Sequence, residues 1–181
     1  MDRKRKGNIK GLLKKVKLLI LDVDGVLTRG EIIYDDKGRE LKIFNVKDGL
    51  GIFLLGRMGI KTVLLTAKNS AVLKRRVLDM RVKEVIAGIL PKEKTLADIK
   101  KRYKVEASQI CFIGDDLIDL EMIKKVGAGV AVRDALPVVK RYARYVTKTK
   151  GGEGAVREVA DLIIKAKKLQ AKVYALIKNP Q

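Results

Sequence analysis

Asp22 and Asp24 stand two positions apart at the end of an apolar run, Leu18-Leu-Ile-Leu-Asp-Val-Asp-Gly-Val-Leu-Thr28. Side chains at i and i+2 of a strand share a face, so both carboxylates can converge just past the strand's carboxyl end, where open α/β sheets bind ligands. Two carboxylates at one point suit a cation and, through it, a phosphate. The same residues also suit a plain Asx-type turn, which Asp followed by Gly favours. Three further segments place polar chemistry at the ends of expected strands: Thr66, Lys92 and Gly114-Asp-Asp-Leu-Ile-Asp119. In a parallel sheet such ends lie along one edge, and together they offer a nucleophile, a hydroxyl, a cation and further carboxylates. The 181-residue chain contains no histidine, which excludes Ser-His-Asp and Cys-His mechanisms and any imidazole metal site. The single cysteine, Cys111, lies between Ile110 and Phe112 and reads as a buried core thiol rather than a nucleophile.

The elements that must hold these residues follow from hydrophobic periodicity. Glu31 to Asn45 reads as two short strands around the Asp36-Lys37-Gly38 turn, a hairpin that would project as a flap. Leu50, Phe53, Leu54 and Met58 recur at helical spacing over Gly49 to Met58, closed by Gly59. Strands are then expected at 62–66, 84–87, 109–113, 129–132 and near Tyr145, with helices at about 70–80, 92–103, 117–126 and after Asp134. This alternation predicts right-handed crossovers and a doubly wound α/β fold with a mainly parallel sheet covered on both faces. Gly151-Gly-Glu-Gly154 reads as a loop, and 155–177 as one amphipathic helix with its lysine-rich face to solvent.

Nearly half the residues are hydrophobic (47%) while aromatics are scarce (4%) and Trp is absent, which suits an aliphatic core between sheet and helices. The length suits one domain, expected over 16–160, with a basic segment at 1–15, the flap at about 30–46 and a helical extension at 161–181. The apolar stretch after the basic start runs straight into Asp22 and Asp24, so neither a signal peptide nor a membrane span is expected, and the cytoplasm is the expected compartment. Net charge is +20, and the ends hold much of it: residues 1–18 carry eight Lys/Arg against Asp2, and 161–181 five against Asp161. Such a balance attracts anions in general, from phosphorylated metabolites to nucleic acid and acidic membranes, and also fits solvated helix faces of a thermophilic protein.

In their order, Asp-x-Asp-Gly-Val, Thr, Lys and Gly-Asp-Asp-x-x-Asp resemble the haloacid dehalogenase superfamily of aspartate-nucleophile phosphatases, over most of the chain. Within it, Asp22–Thr28, Phe44–Ile52, Gly114–Asp119 and Gly151-Gly-Glu-Gly-Ala-Val-Arg-Glu-Val159 are similar to the 3-deoxy-D-manno-octulosonate 8-phosphate (Kdo-8-phosphate) phosphatase family of lipopolysaccharide biosynthesis. The resemblance implies hydrolysis of a phosphorylated sugar acid, with Asp22 as nucleophile and Asp24 as general acid and then general base. It implies Mg²⁺ held by Asp22, the main-chain carbonyl of Asp24 and Asp115. Thr66 and Lys92 would hold phosphoryl oxygens, and Asp116 and Asp119 would support the site. Substrate contacts are implied for Asp24, Asn45, Val46, Lys47, Asp48, Gly49, Lys68, Arg76 and Lys92. Each has a plainer alternative: Thr66 as a strand residue, Asp116 and Asp119 as helix-start carboxylates, Arg76 as a surface side chain. Lys94 rivals Lys92, although the interval from Lys92 to Gly114 matches the family better.

The departures bear on the sugar. Where the family has Thr-Gly-Arg the chain reads Thr66-Ala67-Lys68; Lys47 stands for Arg, and Phe53 for a basic residue. Lysine keeps the charge but loses the planar bidentate fork, so another sugar acid or sugar phosphate is an alternative substrate. The resemblance further implies a homotetramer in which hairpins close neighbouring sites and Gly151–Arg157 lies near substrate, which would cover Ile32, Ile33 and Ile43. A basic nucleic-acid-associated or membrane-surface protein with a vestigial site is the reading from another class; the absence of an aromatic platform argues against nucleic acid as partner.

Overall fold

The computed structural model describes residues 8–82 and 84–178; the first seven residues of the basic start fall outside them. Six strands form one parallel sheet: β1 (Leu18–Leu21), then, after a two-stranded flap of β2 (Ile33–Tyr34) and β3 (Glu40–Leu41), β4 (Lys61–Thr66), β5 (Glu84–Ala87), β6 (Ile110–Gly114), β7 (Ala128–Ala131) and β8 (Tyr145–Val146). Their order is β5-β4-β1-β6-β7-β8, with Leu18 in register with both Lys61 and Ile110. The chain winds outward from β1 on one side and returns to its other side. β1 and β6 therefore flank the point where connections diverge, and a crevice opens past their carboxyl ends. All four residues of β1 and all five of β6 are buried, as apolar strands covered on both faces should be.

The helices are α1 (Ile9–Lys15), α2 (Val46–Arg57), α3 (Ala71–Asp79), α4 (Leu96–Tyr103), α5 (Leu120–Lys125), α6 (Pro137–Tyr142), α7 (Ala155–Ala166) and α8 (Gln170–Lys178). Helix α2 starts earlier than its apolar spacing predicts because Asn45 caps it, its Oδ1 accepting from the Lys47 amide at 2.8 Å. Lys92–Thr95 and Leu117–Asp119 are 3-10 turns that lead into α4 and α5. The flap pairs Ile33 with Leu41 around a turn in which Asp35 Oδ1 accepts from the Lys37 and Arg39 amides.

One expectation is extended and one corrected. Within the basic segment, α1, capped by Asn8, packs on α7 and buries Leu13 in the core. The expected single helix over 155–177 is two, because Lys168 adopts φ +57° and the Leu169 amide turns back to the Ile164 carbonyl at 3.0 Å. That is a Schellman-type end made without glycine, so the sequence carries no mark of it. Cys111 is wholly buried, and burial pushes its thiol up to about 12, which leaves it inert as a nucleophile.

Candidate active site

The site begins where β1 ends. The Asp22 amide still bonds the Ile113 carbonyl of β6 at 3.0 Å, and then the chain turns so that the amides of Val26, Leu27 and Thr28 all reach the Val23 carbonyl. Thr28 Oγ1 closes the turn by accepting from the amides of Gly25 (3.3 Å) and Gly30 (3.2 Å). Gly25 has φ +86°, and a Cβ there would sit 2.1 Å from Asp115 Oδ2, so glycine is what allows the β1 loop to lie on the β6 loop.

Lys92, fully buried, puts its Nζ 2.7 Å from Asp22 Oδ1 and 2.7 Å from Asp119 Oδ1. Asp119 Oδ2 accepts from the amides of Asp115 (2.9 Å) and Asp116 (3.4 Å), so Asp119 fixes both the lysine and the β6 loop. Lys94 is exposed, which separates it from Lys92. Burial opposes the Lys92 charge, but Asp22 and Asp119 outweigh it and hold the ammonium above the usual lysine range. Burial, then the Asp119 charge, push Asp22 up to about 6 against the pull of Lys92. Burial, then Asp22, Asp119 and Asp116, push Asp115 up to about 8.

Those shifts describe carboxylates crowded beyond what one lysine can neutralise. Oxygens of Asp22, Asp115 and Asp119 lie within 4.8 Å of one another, and Asp115 Oδ1 is buried without a hydrogen-bond partner. An oxygen-only donor set with an orphaned lone pair fits a hard divalent cation such as Mg²⁺. Asp119 is already engaged on both oxygens, so Asp22 and Asp115 are the side chains with capacity to hold it. The Asp24 carboxylate stands outside this group, at an open cleft of about 280 Å³ that Asp115, Asp116 and Asp134 also line. Asp116 is exposed and caps the following turn through the Leu117 amide.

Sequence reasoning missed Lys42. Its side chain, 5% exposed, reaches back from the flap to bond Asp24 Oδ1 and lies 3.2 Å from Glu40 Oε1. Glu40 Oε2 in turn accepts from Ser70 Oγ at 2.8 Å, so the flap is tied both to the β1 loop and to the start of α3. Burial works against the Lys42 charge, yet Asp24 and Glu40 raise its pKa. The i, i+2 spacing of Glu40 and Lys42 suits one face of the flap, but no signal in the sequence ties that face to Asp24.

The expected substrate residues divide. Thr66 is buried at the end of β4, its Oγ1 accepting from the Lys68 amide at 3.2 Å, and Lys68 is exposed beyond it. Asn45, Val46 and Lys47 open α2, the last two exposed. Arg76 is no surface side chain: it stacks over Phe44 at 5.5 Å and donates to the Asn45 carbonyl at 3.1 Å, passing Gly49, where a Cβ would meet its Nη2 at 2.6 Å. Asp48 is buried and faces α7, where its Oδ1 accepts from the Arg157 amide at 2.8 Å and supplies the cap that Gly154 lacks. Phe53 lies farther along α2 beneath the Arg81 guanidinium at 5.2 Å. No hydrogen bond or ion pair among the described residues joins Asn45, Val46, Lys47, Asp48, Lys68 or Arg76 to Asp22 or Asp24. The glycine-rich loop does reach the site's edge. The Gly151 amide donates to Asp134 Oδ1 at 3.0 Å, and a Cβ on Gly151 would lie 1.8 Å from the Gly25 carbonyl oxygen.

A family model described as haloacid dehalogenase-like hydrolase matches residues 77–159. The 3-deoxy-D-manno-octulosonate 8-phosphate phosphatase of Haemophilus influenzae is 42% identical over 154 residues, 85% of this chain and 86% of that protein. The Escherichia coli K12 phosphatase of the same name is 39% identical over 153 residues, 84% of this chain and 81% of its own. Among solved structures, the Moraxella catarrhalis phosphatase in complex with magnesium, phosphate and Kdo superposes with a TM-score of 0.90 at 37% identity, covering 93% of this chain and 97% of that one. The cobalt-bound Haemophilus influenzae phosphatase gives 0.86 at 38% identity, covering 91% and 99%. The chain thus belongs to the haloacid dehalogenase superfamily and, within it, to the 3-deoxy-D-manno-octulosonate 8-phosphate phosphatases.

Proposed function

We propose that this protein is a Mg²⁺-dependent phosphomonoesterase that hydrolyses Kdo-8-phosphate to Kdo and inorganic phosphate, working as a cytoplasmic homotetramer. The observation that carries the reading is the Asp22–Lys92–Asp119 triad beside the orphaned Asp115 oxygen, with Asp24 at the cleft. Asp22 attacks phosphorus as the bond to the sugar oxygen breaks, and Asp24 protonates that departing oxygen. The resulting aspartyl-phosphate is cleaved by a water whose proton Asp24 takes, which returns both carboxylates to their starting states. Lys92 orients Asp22 and, with the Thr66 hydroxyl, meets the charge on the phosphoryl oxygens. Asp22, Asp115 and the Asp24 carbonyl would hold Mg²⁺, whose charge would let a phosphate dianion approach the carboxylates.

The tetramer rests on apolar exposure at the flap and around the site. Ile32, Tyr34, Leu41 and Ile43 stand 61%, 63%, 49% and 57% exposed, and Leu90 and Leu117, in the segments that follow β5 and β6 at the sheet's carboxyl edge, 55% and 59%. Patches of this kind mark interaction surfaces, and a neighbour's flap on this edge would cover both. A second reading changes the substrate to another sugar-acid phosphate, favoured by Lys68, which stands exposed where the family has an arginine fork. Purified protein with Mg²⁺ assayed against a panel of sugar phosphates should release phosphate fastest from Kdo-8-phosphate, and Asp22→Asn should abolish release with the fold intact. Failure to turn over any phosphomonoester overturns the enzyme reading; a different preferred sugar acid selects the second.

A further inference from the structure

The charge at the chain's two ends is not used by the phosphatase site, and the fold brings it together. Residues 8–17 and 162–178 contain nine lysines, with no arginine and no carboxylate. Helix α1 packs on α7, and the Lys167 ammonium donates to the Lys14 carbonyl at 2.9 Å. Lys14, Lys17 and Lys167 line one cavity of about 360 Å³ with Leu169, from which α8 departs. Among the described residues none of the nine has a carboxylate within ion-pair distance. The like charges are felt: burial, and then the Lys17 charge, press the Lys167 ammonium below the usual lysine range.

Helix α8 leaves directly from Leu169 of that cavity and carries an exposed apolar pair. Val173 is buried against the core, whereas Tyr174 (68%) and Ile177 (58%), three residues apart on one side, are exposed between Lys172 and Lys178. The position is as telling as the composition. Lys17 leads into β1, and Met58 and Ile60, just before β4, line the same cavity, so the face lies at the amino edge of the sheet, opposite the Asp22 site. A partner held there leaves the catalytic cleft open.

We infer that the lysine face formed by α1, the end of α7 and α8 is a docking surface for an anionic lipid bilayer, on which the enzyme rests peripherally. Lysines act on such a surface as separate charges whose flexible stems reach headgroup phosphates, and an exposed Tyr and Ile beside them settle at the headgroup level. Nucleic acid is the weaker match, since the face lacks arginine forks and a set of stacking aromatics. This inference does not depend on the substrate and survives a change of sugar.

The test is co-sedimentation of the full chain with phosphatidylcholine vesicles containing or lacking phosphatidylglycerol. Binding is expected to the anionic vesicles alone and to fall as salt rises from about 0.05 M to 0.5 M, as surface charges are screened. Lys14→Gln, Lys17→Gln and Lys172→Gln together should lower partitioning about a hundredfold, roughly fivefold for each lysine. Tyr174→Ser with Ile177→Ser should weaken it several-fold at unchanged charge. Both variants should keep the wild-type melting temperature and phosphate release from a soluble substrate, and deletion of residues 1–7 should leave binding in place. No binding to anionic vesicles, equal binding to neutral ones, loss on deleting 1–7, or tighter retention of RNA than of vesicles at equal phosphate each overturns the inference.

Discussion

Lys92 meets no solvent, and the cost of desolvating its ammonium is offset by two carboxylates at 2.7 Å. Replacing it by methionine keeps the volume but leaves Asp22 and Asp119 facing each other uncompensated. Breaking a buried pair from one side costs about 3–5 kcal/mol, so Lys92→Met should melt well below the wild type and release no phosphate. The loss has a pH signature. Asp22 sits at about 6 with the lysine present and rises further without it, while the unfolded carboxyl titrates near its ordinary value. Across that interval the unfolded chain binds fewer protons than the native one, so stability falls as pH rises. The melting deficit should therefore be larger at pH 8 than at pH 5.5; an equal deficit at both would mean that Asp22 is not the strained partner. Lys42 acts at the same scale on Asp24. Lys42→Met frees that carboxylate from the flap, and kcat on an alkyl phosphate should drop roughly tenfold, a fraction of what a positioned general acid supplies. Release from p-nitrophenyl phosphate, whose leaving group needs little protonation, should change less, and Lys42→Arg should restore part of the loss. Equal effects on both substrates would show that Lys42 acts elsewhere than through Asp24.

Among the elements, α7 depends on a cap that comes from α2. Gly154 has no side chain to receive its first amides, and Asp48 supplies the oxygen. The geometry favours an ionised carboxylate at a helix start, but burial wins and pushes Asp48 up to about 6, with its Oδ2 left without a partner. The native state thus holds a proton on Asp48 that the unfolded chain releases between about pH 4 and 6, and this residue's contribution to stability declines as pH rises through that window. Asp48→Asn carries no such dependence. The wild type's advantage over Asp48→Asn, followed by thermal melting, should shrink from pH 4.5 to pH 7.5, by about 2 kcal/mol for a carboxyl raised to about 6. The same elements show why some features are legible in sequence and others are not. The β1 run and its two aspartates are local, and the helix–strand alternation that orders the sheet is periodic. Asp48 reads locally as part of a polar segment opening α2, because its partner is 109 residues away. Lys42 is likewise hidden, since nothing nearby in sequence says that the hairpin folds back onto Asp24. The break before α8 rests on a lysine in the left-handed region, a place where glycine would have announced it.

At the scale of the whole molecule, the flap poses a problem that one chain does not solve. Two strands of two residues each bury little of their own surface, and such a hairpin is marginal in water without something to pack against. In this chain it is held from one side by the Lys42–Asp24 and Glu40–Ser70 contacts, while Ile32, Tyr34, Leu41 and Ile43 face outward. Covering those four side chains, each worth about 1.5–3 kcal/mol when fully buried, is what a neighbouring rim at Leu90 and Leu117 would accomplish. On the proposed tetramer, four chains should sediment together at micromolar concentration. Ile32→Ser with Ile43→Ser should dissociate them while leaving each subunit's melting cooperative, because neither residue lies in the buried core. If a neighbour's flap closes the site, the dissociated protein should show a raised KM for the sugar-acid phosphate and a smaller change with a small aryl phosphate that makes no use of a lid. Dissociation without any change in KM would separate assembly from catalysis, and a wild-type protein that sediments as a single chain would leave the apolar flap to some other partner.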